Sequence, residues 1–243
     1  MTQNVCQTEN LASCLDMKEM RAHPDWTLSR RKRVMWEIPE DVPLFNMALV
    51  YKVCDMPIPT VKSWFQRKHV HLSEDDGRSP SQGLPNRLTL RSVLVLAVTS
   101  ELVRLGTLPA DAFKAANFWM RSGVVEGQVG ALARREAGGL FPSPYLTYLT
   151  MGTDPADKGE WPCRIFAVNP QGKFAHSELY NALFHRGRVS AKIVLLNMID
   201  ARVRHMCHLA VLGDRAPPEP DWEVVAAQML RDLPPESIDE GAA

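Results

Sequence analysis

Five residues in a short stretch share one chemistry: Thr60, Lys62, Ser63, Gln66 and Arg67. Hydroxyls, a carboxamide, an ammonium and a guanidinium offer hydrogen bonds to base edges and positive charge to phosphates. From Ile58 to Leu72 the three basic residues Lys62, Arg67 and Lys68 meet no acid. Bidentate geometry makes Gln66 the candidate for reading adenine and Arg67 the candidate for guanine. Lys68, with Arg78 and Arg87 further along, suits phosphates or a minor groove. The plainer explanation is a packed amphipathic helix whose basic residues are merely solvated.

Side chains of this kind need a short helix with one face anchored. Val61, Trp64 and Phe65 fall at i, i+3 and i+4, so they face inward and leave the polar set outside. Ile58 and Pro59 open this helix, because proline is tolerated in a first turn. Upstream, Phe45, Ala48, Leu49 and Val53 share one helical face and predict a preceding helix. Cys54, Asp55 and Met56 interrupt it, and Pro57 disfavours helical backbone in the residue before it. From His69 the period becomes two. Val70 and Leu72 alternate with His71, and Leu88 and Leu90 alternate with Arg87 and Thr89, which predicts a two-stranded hairpin. Its loop, Ser73 to Pro85, is rich in turn-forming residues and longer than most hairpin connections. Thr89 is a fitting N-cap for a longer helix with core face Leu90, Val93, Leu94, Ala97 and Val98, ended by Gly106. Leu108 to Met120 forms a fourth helix, with Phe113, Ala116 and Met120 packing back. This order of elements is that of a winged helix-turn-helix, which places one small helix in the DNA major groove.

The strings VKSWFQRKHVHL, NRLTLRSVLVLAVTSELVRLG and LPADAF resemble a MerR-type winged-helix domain over residues 44–115. Trp64, Arg67, Arg87 and Thr89 stand at the places that family uses for its recognition helix, wing and following helix. Asp55 departs from the glycine usual in the turn, and no long dimerising coiled-coil helix follows. The resemblance implies duplex DNA binding by a dimer in a bacterial transcription regulator.

The chain as a whole has 243 residues and a formal net charge of zero. Charge is unevenly distributed, which is more informative. Arg21, Arg30, Arg31, Lys32 and Arg33 crowd the front, and the segment from Asp214 to Ala243 is acidic. The front cluster is open to three explanations: a solvated helix face, sequence-independent phosphate contact, or a nuclear import signal. Cys6, Cys14, Cys54, Cys163 and Cys207 are odd in number, contain no CxxC pair and fit a reducing compartment. No run approaches the length of a membrane helix, and the start lacks the apolar core of a signal peptide.

The second half is predicted as a small α/β module. Tyr145 to Met151, Cys163 to Val168 and Ala191 to Leu196 read as strands, and His176 to Phe184 and Met198 to Leu212 as helices. Ile199, Val203, Met206 and Ala210 share one face of the last of these. Trp222, Val225, Ala226 and Met229 add a final amphipathic helix, which either packs on its own domain or docks on a partner.

Other chemistry finds little support. GVVEGQVG lacks the lysine and the glycine spacing of a phosphate loop. His205 and His208 share a helix face but Cys207 points away from both, and His69 and His71 are better placed beside the wing, so no metal or cofactor is expected. No nucleophile elbow or HExxH is present, and Asp75-Asp76 has no basic partner in sequence, so no enzymatic activity is expected.

The expected fold class is α+β: a helical winged helix-turn-helix domain followed by a small α/β module. The expected divisions are an extension at 1–41, the DNA-binding domain at 42–122, a glycine-rich connector at 123–142, the sensing or dimerising module at 143–213 and an acidic tail at 214–243. The expected function is sequence-specific double-stranded DNA binding by a cytoplasmic, nucleoid-associated transcriptional regulator. Its partners are duplex DNA and a second copy of the chain, with RNA polymerase as a further candidate. The alternatives are a protein-interaction adaptor that uses the winged domain as a scaffold and a phage-type DNA architectural factor.

Overall fold

The computed structural model describes residues 38–77, 87–123, 135–142, 145–152, 163–169, 191–213, 216, 218 and 220–231. All lie in one compact unit that begins at Ile38. The basic cluster at Arg30–Arg33, Arg78, most of GVVEGQVG and the helix expected at His176–Phe184 fall outside the described residues.

Helix α1 runs from Met47 to Cys54 and starts where Asn46 accepts a hydrogen bond from the Leu49 amide at 3.0 Å. That cap shifts the helix start past Phe45 and changes which side is buried. The core-facing residues are Leu49, Val50, Val53 and Cys54, whereas Ala48, expected inside, is exposed. Phe45 instead precedes the helix and pairs with Leu88 through two backbone hydrogen bonds. Helix α2 spans Ile58–Gln66 with Pro59 in its first turn, and buries Val61 and Trp64. It ends with Lys68 in the left-handed region at φ 56. There the Lys68 amide donates to Phe65 O and the His69 amide to Trp64 O, closing the last carbonyls of the helix.

The two-stranded hairpin expected from alternation is not formed. Residues 69–73 take no strand, a lone bridge joins Gly77 to Arg87, and Leu90 already belongs to the next helix. The reason is a side chain. The Asp76 carboxylate, 5% exposed, accepts from the amides of Ser73 and Thr89 and the hydroxyls of Thr89 and Ser92 at 2.7–3.2 Å. It satisfies donors that a strand ladder would otherwise take, and ties the loop to the N-terminus of a helix, where negative charge is favoured.

That helix, α3 (Leu90–Arg104), is capped by Thr89 as expected and is buried on nearly every side, from Leu90 to Leu102. All-round burial marks a central helix. Two of its polar residues are accommodated by bonding back to the helix, Thr99 to Val95 O and Ser100 to Ala97 O, both at 2.7 Å. It stops at Gly106, φ 80, with the Thr107 amide on Leu102 O and the Gly106 amide on Val103 O. Helix α4 (Pro109–Arg121) turns back along α3 and buries Phe113, Ala116, Trp119 and Met120.

The C-terminus of α4 is closed from a distance. Arg135, 2% exposed, donates to the carbonyls of Trp119, Ser122, Glu136 and Gly139. Burial lowers its pKa to about 10, so it stays charged at neutral pH and faces the negative end of the helix. Gly138 beside it has φ 74, and a Cβ there would run into the Met120 sulfur.

Strands β1 (Leu146–Gly152), β2 (Cys163–Val168) and β3 (Ala191–Leu195) form an antiparallel sheet in the order β2-β1-β3. Leu149, Met151, Ile165 and Val194 join the core beneath the helices, and Tyr148 stacks on Phe166 with ring centres 5.5 Å apart. Helix α5 (Leu196–Leu212) continues directly from β3 and packs on α1, α3 and β1. Its buried stripe is Leu196, Asp200, Val203 and Cys207; Ala210, expected on the core side, is exposed. Helix α6 (Trp222–Arg231) places Trp222 edge-on to His205, ring centres 6.0 Å apart. A single core cluster contains residues of α1 to α5 and of all three strands, so the fold is α+β with α3 at its middle. Among the described residues no helix is long and apolar enough to cross a membrane.

Candidate functional site

The outer arc of α2 is the site the sequence points to, and the structure shows how it is held. Val61 and Trp64 fix the inner half of the helix, Trp64 at 3% exposure. At 3.6 residues per turn the remaining positions cover roughly half the circumference. Along that arc Lys62, Gln66 and Arg67 are exposed, with Lys68 just beyond the helix end. Thr60 and Ser63 are half-buried, and the Ser63 hydroxyl donates to Thr60 O at 2.7 Å. Ser63 is therefore committed to its own helix more than the sequence suggested, while its hydroxyl oxygen keeps lone pairs outward. Lys52 in the last turn of α1 adds a further exposed cation to the chain just before the turn.

The turn between α1 and α2 is set by a residue that reads as a defect in sequence. Asp55 occupies the left-handed region at φ 46, the conformation for which glycine is usual. Arg104 at the end of α3 stabilises it. One guanidinium nitrogen donates to Cys54 O at 2.5 Å and Asp55 O at 2.9 Å and lies 3.4 Å from the Asp55 carboxylate; the other bonds Glu101 at 2.5 Å. The angle at which α2 leaves α1 thus depends on a cation far along the chain. No local signal marks its bond to the turn, because Cys54 and Asp55 lie 50 and 49 residues upstream in sequence.

Arg87 has a structural duty as well. Its guanidinium donates to Leu44 O at 3.1 Å, and its amide to Gly77 O at 2.9 Å. It is half-buried, so a phosphate-binding role is limited to the donors that this bond leaves over. His71, expected beside the wing, turns its ring edge to Phe113 of α4, centres 4.9 Å apart. A second long-range tie joins Arg204 to both Asp200 oxygens at 2.9 Å and to Glu40 at 2.7 Å, and Glu40 in turn lies 3.5 Å from Arg91. This fastens the segment before α1 to α3 and α5.

His205, Cys207 and His208 are all buried. Among the described residues no three metal-ligating side chains converge. Burial pushes the Cys54 and Cys207 thiols up to about 12. Burial thus disfavours the thiolate, the reactive form, in both. Iodoacetamide labelling at pH 8 followed by mass spectrometry is expected to leave Cys54 and Cys207 unmodified in the folded protein and to modify both in urea. Labelling of either at the rate of a free thiol would show that the helix carrying it opens readily.

What the described residues assemble is a rigidly mounted helix with a cationic and amide-bearing outer arc, on a scaffold braced by buried polar ties. Compared with known proteins, the chain matches no family model and no curated protein.

Proposed function

We propose that this chain is a sequence-specific double-stranded DNA-binding transcriptional regulator, in which α1, the Asp55 turn and α2 act as a helix-turn-helix of MerR-like type and α2 enters a major groove. One observation carries the reading: α2 is anchored by Val61 and Trp64 while Lys62, Gln66, Arg67 and Lys68 stand exposed on or beside its outer arc, with no acid on the helix. That arc offers a carboxamide and a guanidinium for base edges with ammonium groups flanking them for phosphates. Beside α2, Asp76 ties the chain at Ser73 to Thr89 and Ser92 at the start of α3. A second copy of the chain would give a palindromic site with half-sites about one helical turn apart.

Selection of bound duplexes from a random pool at physiological salt tests this directly. An enriched motif supports the regulator, and a palindrome supports the dimer. Affinity for that motif should fall with salt by a log–log slope of about −0.9 for each phosphate contacted. Arg67→Ala is expected to weaken the selected site by roughly 1–3 kcal/mol while leaving non-specific binding nearly unchanged. An equal loss on every sequence would make Arg67 a phosphate contact. Ile58, 47% exposed on the same arc, favours one other reading, an adaptor that docks a protein there. No enriched motif, together with salt-insensitive binding of a protein partner, would replace the regulator by the adaptor.

A further inference from the structure

Val61 and Trp64 anchor α2 at i and i+3, about 4.5 Å apart along its axis. Two anchors so close fix which side of the helix turns inward but hold its tilt only weakly. The bonds that close its far end, from the Lys68 amide to Phe65 O at 3.0 Å and from the His69 amide to Trp64 O at 2.9 Å, are local to the helix and tie it to no other element. Its near end is different. Asp55, at φ 46, turns the chain out of α1, and Arg104 reaches across from the last turn of α3 to hold it. A single nitrogen of that guanidinium serves both carbonyls of the turn, Cys54 O at 2.5 Å and Asp55 O at 2.9 Å. The other nitrogen bonds Glu101 at 2.5 Å, one turn back on α3, which steadies the side chain from its own helix. The turn is therefore referenced to the most buried helix of the fold.

Tilt matters unequally along the α2 surface. Gln66 stands about 12 Å from Ile58 along the axis, so a tilt of about 5° displaces it by about 1 Å. A hydrogen bond to a base edge works over donor–acceptor distances of about 2.7–3.2 Å, a tolerance smaller than that displacement. The long stems of Lys62 and Lys68 absorb such a shift, because an ammonium on a flexible chain meets a phosphate as a point charge. On the reading of α2 as a recognition helix, on which this inference rests, tilt governs base contacts and hardly alters phosphate contacts. We propose that Arg104 is a positioning residue for DNA specificity: by holding Asp55 in the left-handed turn it sets the tilt at which Gln66 and Arg67 meet base edges, without touching DNA itself.

Fluorescence anisotropy of the full chain tests it, with the duplex selected by the parent protein set against a random duplex. Arg104→Met should weaken the selected duplex by roughly ten- to hundredfold, the discrimination of a bidentate base contact, and the random duplex by no more than about twofold. Glycine takes positive φ freely, so Asp55→Gly alone should match the parent, and Asp55→Gly added to Arg104→Met should recover the lost discrimination. Circular dichroism and urea midpoints show whether each variant folds. Arg104→Lys keeps the charge without the planar fork that spans Glu101 and the turn, so it should lose discrimination by a smaller factor and serves if the methionine variant does not fold. An unchanged ratio of selected to random affinity in the folded Arg104 variants overturns the proposal. So does an equal loss on both duplexes, or a loss that Asp55→Gly does not recover, which would make Arg104 a DNA contact. A parent that selects no duplex removes the DNA reading and this inference with it, whereas a selecting parent with insensitive variants removes the inference alone.

Discussion

Replacing Asp76 by alanine is expected to lower the free energy of unfolding by about 3–5 kcal/mol, one of the two largest single losses foreseen in this protein. The carboxylate is buried and accepts from two backbone amides and two hydroxyls. Removing it strands the buried Thr89 amide and hydroxyl and the part-buried donors of Ser73 and Ser92, and a stranded buried donor costs about 1–3 kcal/mol before relaxation. It also removes the negative charge that faces the start of α3. Asp76→Asn keeps the volume but offers one acceptor oxygen and turns an NH₂ group toward donors, so it is expected to recover only part of the loss. Urea unfolding of the two variants beside the parent decides the matter. If the alanine variant lies within about 1 kcal/mol of the parent, water replaces the carboxylate and the loop is not held as described.

Trp64→Ala is the second large effect, at about 3–5 kcal/mol for deletion of a buried aromatic side chain. Trp64 is 3% exposed and belongs to the core that also contains Leu49, Val61 and Leu88. Its carbonyl accepts the amides of His69 and Val70, so the same residue ends α2 and starts the next segment. Domains of this size are stable by about 5–15 kcal/mol in total, so the loss is a large fraction of what holds the protein folded. Trp64→Phe should cost less, because it retains most of the apolar area. Chemical denaturation read by circular dichroism gives both values. A Trp64→Ala protein as stable as the parent would mean that α2 presents a different face. The DNA reading of Lys62, Gln66 and Arg67 would then fall with it.

Helix starts and stops were legible in sequence where the responsible group is local. Thr89 caps α3, Gly106 ends it, Pro59 sits in the first turn of α2, and Val61 and Trp64 mark its buried side. The three strands were legible as short β-branched and aromatic runs, although their order was not, because pairing partners are chosen by the fold. The hairpin was misread. Alternation at Val70 and Leu72 is genuine, and Val70 is buried, but Asp76 takes the donors around which a ladder would form. The inner face of α1 was misread by a small rotation, because the Asn46 cap leaves Phe45 outside the helix. Of the candidate site, Lys62, Gln66, Arg67 and Lys68 are exposed on or beside one arc; Ser63 and Arg87 are partly engaged within the fold; Arg78 lies outside the described residues.

The sequence by itself determined the elements and the chemistry of the α2 surface, since period, capping and composition act within a few residues. Only the tertiary structure decided how that surface is mounted. Arg104 locks the turn at Asp55, Asp76 binds the loop to α3, Arg135 closes α4, and Arg204 joins Glu40 to α5. Each is a charged side chain satisfied by groups far away in sequence or by backbone carbonyls, which leave no mark on residue type. Charged residues read from sequence default to the surface, and here burial with several hydrogen bonds each turns three of them, Asp76, Arg135 and Asp200, into internal ties. The central position of α3 was likewise decided by packing: its apolar face was visible in the periodicity, but burial of the remaining sides required α1, α4 and α5 to close around it.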